Sequence, residues 1–176
     1  MNSFPTFHSI DRFTVDDMEP TAIVSVEGVN LRDLYVPREI SIYYVATKTT
    51  VHHHFDPPIN FRLDKANQKT DGYVRNVLGG IGIFTVIPGA KPQSEATSVV
   101  TSLGGYRIMC AGNTTSKWLR TILPYGTIID VHEVSNFVYP KELIPAWCGY
   151  LHKNSRYCSL TKMWTLVHYL RYNGEI

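Results

Sequence analysis

The sequence predicts a single α/β domain with a mixed sheet, three adjoining strands first and then helices and strands in alternation, flanked by helices. Three observations predict it. Short β-branched runs crowd the first third of the chain, helical spacing and strand-like runs alternate after residue 90, and a strongly amphipathic helix closes the pattern.

Each element has its own signal. Met1 to Pro20 is polar and irregular, with acids at Asp16, Asp17 and Glu19, and reads as a lead-in to a domain spanning residues 21–172. Thr21 to Glu27 (TAIVSVE) reads as a buried strand, followed by turn material from Gly28 to Pro37. Glu39 to Ala46 and Thr50 to Asp56 read as a hairpin around Thr47-Lys48-Thr49, ended by Pro57-Pro58. Asp64 to Leu78 has helical spacing and a Gly79-Gly80 stop, and Ile81 to Ile87 reads as a short extended piece. Ser94 to Leu103 reads as a helix with Ser94 as its N-cap and Gly104-Gly105 after it. Then come strand Tyr106 to Cys110, helix Thr114 to Leu123, strand Thr127 to Val131 and a short helix near Glu133 to Val138. Cys158 to Tyr172 places Leu160, Met163, Trp164, Val167 and Leu170 on one helical face. The order β-β-β-α-β-α-β-α is that of an RNase H-like fold.

Composition excludes some functions. With 44% hydrophobic and 18% charged residues among 176, the chain has the makings of a buried core and lacks the signature of disorder. A net charge of +2 points to no partner by itself, although residues 105–176 carry eight Lys/Arg against four Asp/Glu. Met1 to Pro20 lacks a basic start followed by an apolar run, so no secretory signal is expected. No stretch approaches the ~20 apolar residues that cross a bilayer, so no membrane partner is expected. Three cysteines, an odd number in a chain of this length, favour a reducing, intracellular location over a disulfide framework.

The run Ile23 to Val45 (IVSVEGVNLRDLYVPREISIYYV) resembles the first two strands of DnaQ-like DEDD exonucleases, where an Asp-x-Glu pair ends the first strand and Glu-Ile opens the second. Ser25, Glu27 and Glu39-Ile40 stand at those places, and Ile128-Ile129-Asp130 falls where a later motif belongs. The chain is more similar still to the Maelstrom domain, a degenerate branch of that fold. The phrase His53-His54-Phe55-Asp56-Pro57 matches its third strand, and Cys148, His152 and Cys158 match ligands before its last helix. Related exonuclease-like proteins occur in insects, their viruses and mobile elements.

That resemblance implies a structural zinc ion held by Glu39, Cys148, His152 and Cys158. Spacing supports part of it: Cys148-x3-His152-x5-Cys158 offers three donors of the kind zinc takes, with Cys158 at a helix N-terminus that favours a thiolate. The spacing also permits two buried free cysteines and a surface histidine. Cys110 lies in an apolar strand and reads as core. In His52-His53-His54, His52 and His54 share one strand face; without a third ligand apart from Asp56, they read as packing on a half-exposed strand.

DEDD nucleases hold two metal ions with four carboxylates. Ser25 stands where the first Asp belongs, Gly105 to Ile129 holds no acid, and Lys153 to Gly174 holds none, with Met163 at the last motif's acid position. Two-metal exonuclease activity is therefore not expected. Ser25, Glu27 and Met163 mark a vestigial site, with Glu27 reading as a strand-end residue bonded in a turn. Lys117, Trp118, Arg120, Arg156 and Lys162 offer a basic, partly aromatic face for nucleic acid, and equally a solvated surface. The expected function is a zinc-stapled module binding single-stranded RNA or a protein partner. The alternatives are a ribonuclease without two-metal chemistry and a structural component of a viral or ribonucleoprotein assembly.

Overall fold

A computed structural model describes residues 19–31, 34–58, 65–78, 80–140 and 157–176. Strands β1 (Thr21–Asn30), β2 (Tyr35–Tyr44) and β3 (Thr49–His54) come first. Helix α1 (Lys65–Tyr73) continues into a single π turn over Val74–Leu78. Then follow α2 (Glu95–Thr101), β4 (Arg107–Cys110), α3 (Asn113–Ile122), β5 (Ile128–Asp130), α4 (Val131–Val134) and α5 (Ser159–Tyr172). The strands form one sheet in the order β3-β2-β1-β4-β5, with β1–β2 and β2–β3 antiparallel and β1–β4 and β4–β5 parallel. This is the mixed α/β sheet the sequence predicts, in an RNase H-like arrangement.

Alternation along the strands sends two apolar sets to opposite faces. Ala22, Val24 and Val26 join Ile40, Ile42, Ile108 and Cys110 against α2 and α3, where Ala96, Val100 and Leu119 close the core. Ile23, Tyr43 and Met109 face the other way, against Met163, Leu166, Val167 and Leu170 of α5. Full burial of a side chain of this size contributes roughly 1.5–3 kcal/mol, so α5 is anchored chiefly by that stripe. Leu160 and Trp164 pack half-buried on the same cluster, so the predicted face of α5 is the one that docks.

Four local expectations are corrected. Gly28 to Pro37 is not all turn: β1 and β2 run on to Asn30 and Tyr35 through a register shift between Glu27 and Gly28. The bulge uses both turn-formers. Pro37, which has no N–H to give, pairs with Gly28, where a Cβ would lie 2.3 Å from the Val36 carbonyl oxygen. Ile81 to Ile87 forms no strand but an irregular segment with one turn at Ile83-Phe84, and its carbonyls bend onto Arg38 (below). The short helix near Glu133 starts directly from β5, at Val131, since Asp130 caps it by accepting the His132 N–H at 3.0 Å. Ser94 stands at the N-cap of α2 but makes no capping bond with its side chain.

The hairpin is also re-centred. Tyr44 pairs with Thr49 across a four-residue loop, Val45 to Lys48, and Lys48 takes the left-handed conformation at φ 55°. Glu39 therefore faces His54, and Ser41 faces His52. No helix among the described residues is long and apolar enough to cross a membrane.

Candidate functional site

On the α5 face of the sheet, two polar rows cross three strands. Glu27, Glu39 and His54 form one row by register, and Ser25, Ser41 and His52 the next. Beneath the start of α5, these replace the apolar residues that line the rest of that face. The sequence at the helix start matches them, with Cys158, Ser159 and Thr161 all buried.

Glu39 is the centre of the group. Its carboxylate is fully buried and lies at the N-terminus of α5, where Oε1 accepts the Ser159 N–H at 2.9 Å and the Ser159 hydroxyl at 2.7 Å. The helix dipole favours an anion at that point. The Cys158 thiol lies 3.6 Å from the same oxygen, and His52 Nε2 lies 3.7 Å from it. The ligand atoms of Glu39, His52 and His54 all fall within 4.8 Å of one another. Two ligands of a tetrahedral ion, each ~2.1 Å from it, are about 3.4 Å apart, near the 3.7 Å between His52 Nε2 and Glu39 Oε1.

The bonding of His52 is compatible with the role of ligand. Its Nδ1 lies 2.6 Å from the Ser41 hydroxyl, which itself lies 2.7 Å from the Ser159 hydroxyl. With Nδ1 so engaged, Nε2 turns toward the Glu39 carboxylate and has no hydrogen-bond partner among the described residues. Where Nδ1 donates to the Ser41 hydroxyl, Nε2 presents its lone pair toward Glu39 and can take a cation; where Nδ1 accepts, Nε2 carries the proton and faces the carboxylate as an N–H. Ligating histidines are oriented by a bond at the other nitrogen in the same manner. The His52 and His54 rings meet edge to face at 4.6 Å. Glu39, His52 and His54 thus form a group that could hold a metal ion, with Cys158 beside it.

Two expected ligands, Glu39 and Cys158, are brought together. Cys148 and His152 lie outside the described residues, as does Arg156. The His52–His54 pair has the third ligand its sequence context did not supply: Glu39, which the re-centred hairpin sets across from it. Cys110 is fully buried in β4, and burial first, then Asp130, pushes its thiol up to about 12. It is core, as expected.

A cleft of about 300 Å³ opens beside this group, between the bulged end of β1 and β2, the π turn, the start of α3 and Tyr157. Ser25 is buried in the sheet and Met163 in the core, so neither faces a ligand. Glu27 reaches α5: its Oε1 accepts from Lys162 Nζ at 2.6 Å. The Lys162 ammonium also lies 5.2 Å from the Tyr139 ring and 5.9 Å from the Tyr157 ring. Desolvation, reinforced by Glu27, holds the phenols of Tyr35 and Tyr139 well above their ordinary range, so both stay neutral. Asp130 is equally engaged: Oδ1 accepts the N–H of Gly112 at 3.1 Å as well as that of His132, and Oδ2 accepts the Ser116 hydroxyl at 3.0 Å.

Arg38 is the residue that sequence reading missed. It is 1% exposed, and its guanidinium donates to the carbonyls of Phe55 (2.8 Å), Gly82, Ile83 (2.8 Å) and Thr85. Burial lowers its pKa to about 10, opposed by Asp56 and Asp71. It therefore fixes the 82–85 turn to β2 and walls the cleft with at most one N–H left over.

The proposed basic face divides. Lys117 and Trp118 line an outer groove that shares Asn30, Tyr35, Asn113 and Thr114 with the cleft, and Trp118 packs on Tyr35 with ring centroids 5.7 Å apart. Lys162 belongs to the cleft. Arg120 points elsewhere, toward the Ile128 carbonyl (3.4 Å) and Glu133 (3.7 Å), because it lies on the side of α3 that covers β5.

Compared with protein-family models, curated proteins and solved structures, the chain matches none.

Proposed function

We propose that this chain is an exonuclease-like, Maelstrom-like domain that does not cut by two-metal chemistry, is stapled by a structural zinc ion, and binds single-stranded RNA. The observation that carries the reading is the cleft: its one carboxylate among the described residues, Glu27, is paired with Lys162. A two-metal phosphodiesterase needs carboxylates free to hold divalent ions, and this cleft offers a salt bridge instead. The sheet order β3-β2-β1-β4-β5 is consistent with the RNase H-like arrangement that this reading requires.

Carboxylate, imidazole and thiolate donors at one point favour zinc among the divalent metals. Glu39 and Cys158 would hold it, completed by His52 and His54 or by Cys148 and His152. Bound there, zinc would supply no chemistry beyond fixing the start of α5 to the β2–β3 hairpin. Three cysteines, an odd number, suit a reducing, intracellular location.

Filter retention of a labelled oligouridylate by wild-type protein tests the reading, with EDTA present and absent and with the RNA recovered intact. Retention that weakens with salt is expected. Cleavage in EDTA that a point mutant abolishes would replace this reading with a ribonuclease of another mechanism. Neither retention nor cleavage would leave a protein-interaction or structural role.

A further inference from the structure

The cleft holds a cation that belongs to the chain itself. Of the two basic side chains among its described lining residues, Arg38 is 1% exposed and spends four of its five N–H donors on backbone carbonyls. Lys162 differs. An ammonium has three donors; Glu27 takes one at 2.6 Å, and no second acceptor for Nζ lies among the described residues. The flanking contacts are the faces of Tyr139 and Tyr157, which attract a cation without using its N–H groups. A lysine so placed is oriented and still has donors to offer.

The geometry resembles that of a carboxylate-bound ion, which sits ~2.0–2.1 Å from its oxygen in the case of magnesium and bridges to phosphate oxygens on its far side. We propose that Lys162 takes that role here: its ammonium is the phosphodiester-binding group of the cleft, in place of a divalent cation. Glu27 positions it and competes with the phosphate for it. This inference rests on the RNA-binding reading above and adds how the strand's charge is met. Two consequences follow. Binding needs no metal in the cleft, and the two members of one salt bridge have opposite effects on affinity.

The test is retention of a single-stranded oligouridylate by wild type, Lys162→Met, Lys162→Arg and Glu27→Gln, each over a range of salt in EDTA and again in magnesium. A single-strand phosphate contact contributes about 0.7 to the slope of log affinity against log salt. Lys162→Met should lower the slope by that amount, and Lys162→Arg should restore it. Glu27→Gln should tighten binding up to about fivefold, the strength of a partly screened ion pair. Magnesium should add nothing beyond its effect as salt. An oligothymidylate should show the same loss in Lys162→Met, since the phosphodiester is the group read.

An unchanged slope in Lys162→Met, a dependence on magnesium, or a loss confined to RNA would overturn the inference while leaving RNA binding intact. Absence of binding by the wild type would overturn both. Should Lys162→Met fail to fold by thermal melting, the Glu27→Gln result decides alone, and binding that weakens or stays equal overturns the proposal.

Discussion

Replacing Glu39 with Gln separates the two functions of that side chain. The glutamine oxygen can still accept the Ser159 N–H and hydroxyl that Glu39 Oε1 accepts at 2.9 and 2.7 Å, so the cap on α5 survives. The anionic ligand does not. In metal-free protein the substitution removes a fully buried carboxylate whose oxygen faces His52 Nε2 at 3.7 Å. The change there should stay within about 1 kcal/mol, the worth of one hydrogen bond. With zinc at a hundred times its dissociation constant, the wild type should gain about 2.7 kcal/mol by mass action. For a chain of this length each kcal/mol moves the melting temperature ~2–4 °C, giving a rise of roughly 5–11 °C. The assay is thermal unfolding after dialysis against EDTA, then with zinc or calcium added back. Zinc should raise the wild type alone, and calcium neither protein. A wild-type melting temperature indifferent to both EDTA and zinc would refute the metal centre. A large loss in metal-free Glu39→Gln would show that the negative charge itself stabilises the start of α5.

Two further outcomes follow from buried groups elsewhere. Arg38→Met should cost about 3–5 kcal/mol, because it strips the cation from four carbonyls at a buried site; urea unfolding checks it, and a loss under about 1 kcal/mol would mean that water replaces the guanidinium. Cys110, whose thiol stands near 9 in the unfolded chain and about 12 in the fold, contributes stability that is full below pH 9 and is lost as pH rises toward 12. The unfolded chain then binds fewer protons, so stability should fall by up to ~1.4 kcal/mol per pH unit from this group. Tyr35, Tyr44 and Tyr139, also raised, add to the fall above pH 10. Cys110→Ala should flatten urea-unfolding stability between pH 9 and 10, and an unchanged slope would refute the assignment.

The sheet and its two faces were legible because they rest on periodicity: the stripe of α5 and the alternation in β1 and β2 need only local spacing. Half of the metal group was legible for a different reason, since Glu39 and Cys158 came from a resemblance. What stayed hidden was register. A turn centred on Lys48 would set Glu39 opposite Pro57; the observed loop, Val45 to Lys48, sets it opposite His54. A shift of three positions decides whether a histidine pair has a carboxylate, and threonines at 47, 49 and 50 give no local reason to choose. Arg38 was illegible for a similar reason. Its partners are backbone carbonyls 44–47 residues away for the 82–85 turn, and carbonyls leave no trace in a sequence.

The cap on α5 has a further consequence in time. Cys158 and Ser159 reach Glu39 across 119 and 120 positions, so the β2–β3 hairpin is synthesised long before the helix that covers its polar rows. During that interval Ile23, Tyr43 and Met109 lack their cover, and the buried carboxylate stands in water at no cost. Closing so long a loop carries an entropic charge that the docking helix must overcome in one step. Metal, cap and apolar stripe all act at that step, so an ion held at Glu39 would serve the newborn chain as a latch that closes only after α5 has been made.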